Sequence, residues 1–279
     1  MNKVYKVLFN KSIGKYVVVS ENSKSAKKSS KTIQSIVLAA VAFGGTSITM
    51  AAPYAAGSGT ATGLDAIAIG ERSNATGVLS IALGADSFAK EKYAAALGPE
   101  AKALGDDSAA VGTRAQALAN YSTALGNQST AKEKFALAAG YEAIASGEQS
   151  TAVGYNSEST GYASNAIGGS SLAAGRFSTA VGQESKAAAD FTLAAGYKAK
   201  ASGEQSTAVG FNSESTGYGS NAIGSSSAAK GRHSNALGSS SLAEGDYSIA
   251  LGQESKTGAG QYFATALGYN AQANGWASF

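Results

Sequence analysis

The chain has 279 residues, of which 15% are charged, and it contains 35 glycines, two prolines and no cysteine. This composition excludes a disulfide-stapled domain and a highly charged disordered chain. Residues 1–52 hold eight lysines and one acidic residue, which leaves 14 − 18 = −4 for the remainder, so the main part of the chain offers no basic surface for a nucleic-acid partner.

Residues 1–25, with the sequence MNKVYKVLFNKSIGKYVVVSENSKS, form an unusual extension ahead of a signal-like segment. Through MNK, YKV, NK and VVVSE they resemble the extended signal peptide region of Gram-negative autotransporters, with Phe9 and Tyr16 where that pattern usually has tryptophans. The resemblance implies export through the inner membrane and display on the extracellular face of the outer membrane.

Residues 26–56 have the order of a secretory signal. Lysines 24, 27, 28 and 31 precede an apolar run at 36–50, and a small-residue segment follows at 51–56. The apolar run is shorter than the roughly 20 residues that a membrane-spanning helix needs. We therefore expect a signal helix with a cleavage region, and an uncleaved anchor remains the alternative.

From residue 57 a glycine recurs after Ala plus a small or aliphatic residue. These glycines are Gly70, Gly84, Gly98, Gly112, Gly126, Gly140, Gly154, Gly168, Gly182, Gly196, Gly210, Gly224, Gly238 and Gly252, with Gly268 after an insertion of two. A fixed 14-residue step indicates a repeat architecture. It predicts a head of about 15 repeats over residues 57–279.

Each 14-residue unit divides into two similar halves, often with a second glycine midway, as at Gly161 and Gly217. Seven residues with a glycine corner accommodate a short strand and a turn but not a stable helix. The predicted fold is therefore all-β, a parallel β-solenoid with two short strands per coil.

Strand alternation assigns a face to each position, counted here as +n from the repeat glycine. Positions +3, +5, +10 and +12 are nearly all Ala or Ser, so we expect them to point into a narrow coil. Positions +4 and +6 are mixed and largely polar, as in Glu158 and Thr160, which predicts a solvated outer face.

Positions +11 and +13 carry a nearly continuous set of outward aliphatic residues, and where +13 is reduced to Ala139 or Ala195, +11 becomes leucine. The predicted interface residues are Leu83, Leu97, Val111, Leu125, Leu137, Val153, Ile167, Val181, Leu193, Val209, Ile223, Leu237, Leu251 and Leu267. An exposed apolar stripe of this length would promote aggregation. Identical copies that bury it predict a closed homo-oligomer.

The repeats, written A-[IVL]-G with Ser-Asn-Ala-Ile-Gly at 164–168 and 220–224, resemble the head of YadA-like trimeric autotransporter adhesins. The resemblance implies a left-handed parallel β-roll, a homotrimer, and attachment to host cells or to matrix proteins of the collagen, fibronectin or laminin type. Family members continue into a neck, a stalk and a membrane anchor. Here the repeat runs to Phe279 without sustained heptads, so we expect a truncated product whose membrane contact needs an anchor absent from this chain.

Candidate ligand-binding residues come from two patterns. The family's collagen-associated motif, N-S-V-A-I-G-x-x-S, has partial counterparts at 164–171 and 220–227, which nominate Asn165, Ile167, Gly168, Asn221, Ile223 and Gly224. Ile167, Gly168, Ile223 and Gly224 also have scaffold positions, so a purely structural role is the alternative.

Aromatic residues gather at both corners of the coil. They are Tyr141, Tyr155, Tyr197, Phe211 and Tyr269 at one corner and Tyr93, Tyr121, Phe135, Phe177, Phe191 and Tyr247 at the other. Ladders of stacked rings would stabilise the solenoid edges. Alternatively the rings are anchors for a protein ligand, with Tyr155 and Phe211 as candidates.

Little points to catalysis, a metal or a cofactor, and none is predicted. His233 is the single imidazole, without cysteine or a recurring acidic partner, so a triad or zinc site is not expected. A hexapeptide-repeat acyltransferase would show multiples of six. An ice-binding solenoid would need a regular Thr array, which Asn165, Leu137 and others interrupt. A structural, self-associating surface module remains the main alternative to an adhesin.

Overall fold

A computed structural model describes residues 5–10, 15–20 and 52–279. The chain forms two units, Met1–Thr49 and Met50–Phe279. In the first unit, β1 (Tyr5–Asn10) and β2 (Lys15–Ser20) pair antiparallel, with Tyr5 opposite Ser20 and Asn10 opposite Lys15. The predicted signal helix, at the apolar run 36–50, lies outside the described residues, whereas residues 52–56 of the predicted signal and cleavage region are described.

The second unit consists of two parallel sheets of 16 strands each. The strands of sheet I are β3 (Tyr54–Ala56), β5 (Ile67–Ile69), β7 (Ile81–Leu83), β9 (Ala95–Leu97), β11 (Ala109–Val111), β13 (Thr123–Leu125), β15 (Leu137–Ala139), β17 (Thr151–Val153), β19 (Asn165–Ile167), β21 (Thr179–Val181), β23 (Leu193–Ala195), β25 (Thr207–Val209), β27 (Asn221–Ile223), β29 (Asn235–Leu237), β31 (Ile249–Leu251) and β33 (Thr265–Leu267).

Sheet II contains the alternate strands. They are β4 (Thr60–Ala61), β6 (Asn74–Ala75), β8 (Phe88–Ala89), β10 (Lys102–Ala103), β12 (Gln116–Ala117), β14 (Thr130–Ala131), β16 (Ile144–Ala145), β18 (Glu158–Ser159), β20 (Leu172–Ala173), β22 (Lys186–Ala187), β24 (Lys200–Ala201), β26 (Glu214–Ser215), β28 (Ala228–Ala229), β30 (Leu242–Ala243), β32 (Lys256–Thr257) and β34 (Gln272–Ala273).

The register of both sheets follows the sequence repeat. Val153 pairs with Ile167, the same position of the next repeat, and Ile249 pairs with Thr265 although the insertion lies between them. The predicted parallel β-solenoid with two short strands per coil is confirmed. Sixteen coils form rather than about 15, because β3 pairs with β5 and so the first coil starts at Tyr54, before the expected start of the head at residue 57.

Corners of the coil are tight because successive coils stack backbone on backbone. Gly154 has φ +137°, and a Cβ placed on it would lie 2.6 Å from the carbonyl oxygen of Gly168 in the next coil. This explains why the first position of each repeat is glycine. Position +2 adopts the left-handed region without glycine, as Asn156 does with φ 50°; asparagine tolerates this conformation better than most residues.

The interior holds only small side chains, as the alternation predicts. Ala68, Ala75 and Ala82 are fully buried, and so are Ser80 and Ser164. These two hydroxyls are satisfied locally: Ser80 Oγ donates to the carbonyl of Gly77 at 2.7 Å, and Ser164 Oγ to that of Gly161 at 2.8 Å. Since this bore is filled by Ala and Ser, every larger apolar side chain must lie outside it.

Candidate functional site

The outer face of sheet I carries the aliphatic column, defined as the interface residues predicted above together with Ile69. Position +13 lies outward in each coil, and Leu125, Ile167 and Leu267 keep 50%, 43% and 59% of their surface exposed in the single chain. The register places these side chains directly above one another, as Val153, Ile167 and Val181 are. The column is thus one continuous apolar stripe on the outside of the coil.

Two coils change the column without breaking it. Ala139 pairs with Leu125 on one side and Val153 on the other, and in its own coil the outward residue at +11 is Leu137. Ala195 and Leu193 repeat this exchange four coils later. An aliphatic side chain larger than alanine is therefore kept on the outer face of sheet I in these two coils as well.

The nominated ligand residues lie in or beside this column. Asn165 and Ile167 are the two outward residues of β19, and Gly168 follows at the corner. Asn221 and Ile223 occupy the same places on β27, followed by Gly224. The Asn221 Nδ2 donates to Asn235 Oδ1 of the next coil at 2.9 Å.

Each set therefore occupies one outer edge of sheet I, and the structure brings the two sets to equivalent positions four coils apart. Ile167 and Ile223 belong to both the interface prediction and the ligand prediction. The two predicted roles compete for the same side chains.

Tyr155 and Phe211 lie at the corner between sheet I and sheet II, at position +1. Tyr155 stacks on Tyr141 with ring centroids 5.6 Å apart, and Phe211 stacks on Tyr197 at 5.4 Å. Both rings stay more than half exposed, at 61% and 56%. The two short ladders therefore end in an exposed ring.

The opposite corner carries longer aromatic ladders at position +9. Tyr121 stacks on Phe135, Phe177 on Phe191, and His233 on Tyr247, which in turn stacks on Phe263. The predicted ladders thus form, and His233 is one of their rings.

Besides His233 and Phe263, the sequence analysis left two further residues out of these ladders. Tyr162 and Tyr218, at position +8, pack edge-on against Phe177 and His233. Each tyrosine precedes a small residue at position +9, Ala163 or Gly219. A tyrosine next to a ladder position without a ring was the sequence pattern that could have predicted the contact.

Charged residues concentrate around sheet II and its flanking corners, and they pair along the axis. Lys200 Nζ lies 2.8 Å from Glu214, and Lys230 Nζ lies 3.0 Å from Glu244, in both cases across neighbouring coils. Glu184, for which a pairing with Lys186 would follow from their closeness in sequence, instead contacts Lys198 at 3.6 Å. Most ion pairs among residues 52–279 thus join neighbouring coils, whereas Arg72 with Glu71 and Lys90 with Glu91 pair adjacent residues.

A few of these contacts shift proton affinities. The hydrogen bond from Arg72 holds the pKa of the Asp86 carboxyl below its ordinary value. A hydrogen bond with Glu142 raises the pKa of the Tyr141 hydroxyl, and the nearby charge of Glu142 adds to the effect. All of these groups face solvent, so the shifts describe a salt-bridged surface rather than a reactive centre.

Within residues 52–279, no group of His, Cys, Asp and Glu side chains is arranged to hold a metal ion. None of the described segments is a helix long and apolar enough to cross a membrane.

Two family models match the chain. The model described as the extended signal peptide of the type V secretion system matches residues 1–49. The YadA head domain repeat matches residues 61–87, 75–101, 89–115, 103–129, 131–157, 159–185, 187–213, 229–255 and 262–275, which together cover more than half of the chain.

The chain belongs to the YadA head family. Its coils are head repeats of an adhesin, and its N-terminal region is a type V secretion signal, which together support export and surface display.

Among solved structures, the chain is similar to the crystal structure of the collagen-binding domain of Yersinia adhesin YadA. The identity is 24%, the match covers 71% of this chain and 67% of that one, and the TM-score is 0.27. At this TM-score the likeness adds nothing to the family assignment, which rests on the repeats. The curated proteins include no significant match.

Proposed function

We propose that this YadA-type head acts as a homotrimer that attaches the bacterial surface to host matrix proteins of the collagen, fibronectin or laminin type, or to host cells. The observation that carries the proposal is the aliphatic column, which lies outside the coil in the single chain. An apolar stripe of this length on an exported protein calls for a permanent partner.

A second copy of the same chain fits the column best. Hydrogen-bonded strands set the spacing of the aliphatic side chains at about 4.8 Å per coil, and an identical rod offers the same spacing. Burying the half of a leucine that remains exposed contributes about 1 kcal/mol, and this gain repeats in every coil. Symmetric closure around one axis leaves no free stripe, and membership of the family supports three copies.

Sheet II and the corners remain for ligands in such an assembly. They carry polar, charged and aromatic side chains in repeated positions, and the segment containing Tyr155 recurs as the segment containing Phe211. Weak contacts at repeated positions add up when one extended ligand spans several of them. This supports adhesion to a long or clustered host molecule rather than capture of a small one.

The assembly is tested by disulfide cross-linking, since the chain has no cysteine of its own. Val153→Cys places a thiol in the aliphatic column, and Thr160→Cys places one beside sheet II. We expect oxidation to link chains of the Val153 variant and not of the Thr160 variant, and sedimentation equilibrium of the unsubstituted protein to give three chains. A folded single chain in sedimentation would refute the homotrimer.

Adhesion is tested separately, with the secreted protein applied to immobilised collagen, fibronectin and laminin and to cultured host cells. Saturable binding to at least one of these surfaces is expected. Binding only to the protein itself, seen as clumping of displaying bacteria, would replace host attachment with the self-associating function.

A further inference from the structure

The aromatic column at the corner that leads from sheet I into sheet II is interrupted at Gly169. In coil order, position +1 is occupied by Tyr141, Tyr155, Gly169, Gln183 and Tyr197. Tyr155 therefore has a stacked ring on one side and a residue without a side chain on the other.

The backbone does not require a glycine at this place. The φ angle of Gly169 lies outside the left-handed region, and a Cβ built on it would meet only ordinary neighbours, the Tyr155 carbonyl oxygen at 3.9 Å and Gln183 Cγ at 4.0 Å. Its neighbour Gly168 has φ +133° and would place a Cβ 2.6 Å from backbone atoms of Gly182. Among the glycines of residues 52–279, Gly169 combines an ordinary φ with ordinary contacts. What it leaves is an opening, not a strained turn.

The exposure of the rings reflects this opening. Tyr155 is 61% exposed, compared with 46% for Tyr141 in the same stack. Four coils later Phe211 is 56% exposed, compared with 37% for Tyr197, and the next residue in its column is Ser225. Because one copy has tyrosine and the other phenylalanine, the feature they share is an open ring face and not a hydroxyl.

We propose that the gap at Gly169 is a binding slot for one aromatic side chain of a protein partner, which stacks on Tyr155 as the missing rung of the ladder. The existing rungs show the required geometry, with centroids 5.6 Å apart and planes 7° from parallel for Tyr141 and Tyr155. Two coil steps, about 9.6 Å, separate the levels of Tyr155 and Gln183. That distance admits one flat ring between them.

The surroundings favour an aromatic ring over a sugar. The strand that follows this corner contributes Leu172, which is partly exposed and lies on the sheet II side, away from the aliphatic column. An apolar rim leaves most hydroxyl groups of a pyranose without partners, whereas it adds contact area to an aromatic side chain. Phe211 with Ser225 forms a second slot of the same kind.

The slot specifies one contact of the proposed adhesion. It rests on the proposed function only in that the partner is taken to be a protein. It is tested on the full secreted chain with N-acetyl-5-fluoro-L-tryptophanamide, whose ¹⁹F NMR signal has no background from the protein. The double variant Gly169→Leu with Ser225→Leu fills both slots with aliphatic side chains and so presents no new ring face. The matched controls are Gly169→Ser with Ser225→Gly, which keeps both slots open, and Thr113→Tyr, which adds a ring to the same column away from either slot.

We expect saturable binding to the unsubstituted chain and to both controls, and an affinity at least about tenfold weaker in the filled variant, since the ring contact is lost. Tyr155→Leu with Phe211→Leu, which removes the ring faces and leaves the gaps, should weaken binding in the same way, so the result does not depend on one variant folding. Equal affinity in the filled variant, or no binding to the unsubstituted chain, would overturn the slot. If methyl β-D-glucopyranoside bound the slot more tightly than the tryptophan derivative, the proposed aromatic occupant would be wrong. Adhesion to matrix proteins measured on the same variants separates a wrong slot from a wrong function.

Discussion

Sheet I and sheet II share one backbone plan and the same inner side chains, yet their outer faces differ completely. The outward residues of β17 are Thr151 and Val153, and those of the other sheet I strands are likewise uncharged. The outward residue of a sheet II strand is often charged, as Lys200 and Glu214 are, and these two pair across neighbouring coils. Both faces are exposed in the single chain to a similar extent.

This difference shows that the coil folds with either kind of outer face, aliphatic or charged. An interior of Ala and Ser lies behind both sheets, and the parallel strands of sheet II pair from coil to coil although their outward residues are often charged. Aliphatic outward residues are continuous along sheet I but scattered along sheet II, as at Ile144 and Leu172, and this contrast supports the proposed interface on sheet I. Four experiments test this contrast, and they are described in order of decreasing expected effect.

The largest effect is expected when a charge is moved onto the aliphatic face. Val153→Glu would bury one carboxylate per chain in the proposed interface, at a cost of about 3 kcal/mol or more for each chain. Sedimentation velocity should show loss of assembly. Thr160→Glu, on the sheet II side, should leave the sedimentation coefficient unchanged, and both variants should keep the circular dichroism of the coil. A Val153 variant that assembles normally would mean that the column is not the interface.

The corner that joins the two faces should be nearly as sensitive. Gly154→Ala forces a Cβ to within 2.6 Å of the Gly168 carbonyl oxygen at a φ of +137°, and we expect it to lower the free energy of unfolding by about 3 kcal/mol. Gly169→Ala, with nearest contacts of 3.9 Å, should change it by less than about 0.5 kcal/mol. Denaturant unfolding followed by circular dichroism measures both, and equal effects would show that the stacked backbone is less tight than described.

The shared interior should respond more mildly. Ser80→Ala removes the hydrogen bond from Oγ to the Gly77 carbonyl, which we expect to cost about 1 kcal/mol. Ser178 occupies the equivalent place in another coil, but its buried Oγ has no partner. Ser178→Ala should therefore leave the thermal midpoint unchanged or raise it. A larger loss from Ser178→Ala than from Ser80→Ala would contradict this account of the core.

The smallest effect concerns the charged side of the coil. Arg72 lowers the pKa of Asp86, so the pair stabilises the fold above the ordinary carboxyl pKa of about 4, and this stabilisation is lost as the pH falls through that range. The thermal unfolding midpoint of the Arg72→Gln variant should lie slightly below that of the unsubstituted protein at pH 7, and the two midpoints should converge in acid. Arg232→Gln serves as the control, since the Arg232 side chain makes no ion pair within the part of the chain that the structure describes. A constant difference at all pH values would rule out the ion pair as the cause.

Much of the head could be predicted because the type of each residue indicates whether it points into or out of the coil. The glycine period predicted the register, and alternation placed Ala and Ser inside and Ile167 or Val153 outside, as the structure confirms. Contacts between coils were harder to predict. The edge-on packing of Tyr162 and Tyr218 and the contact of Glu184 with Lys198 were not predicted, because neighbours along the rod are a full repeat apart in the sequence and each side chain has several rotamers.

The amino-acid sequence alone determined the coil, its two strands and the faces of its side chains, since a strand's alternation and a recurring glycine are local properties repeated in every unit. Only the tertiary structure decided which corner residues stack, which charges pair, and that the glycine at 169 is an opening whereas the one at 168 is a necessity. Those outcomes depend on contacts between neighbouring coils, and the sequence of a single repeat does not specify these contacts.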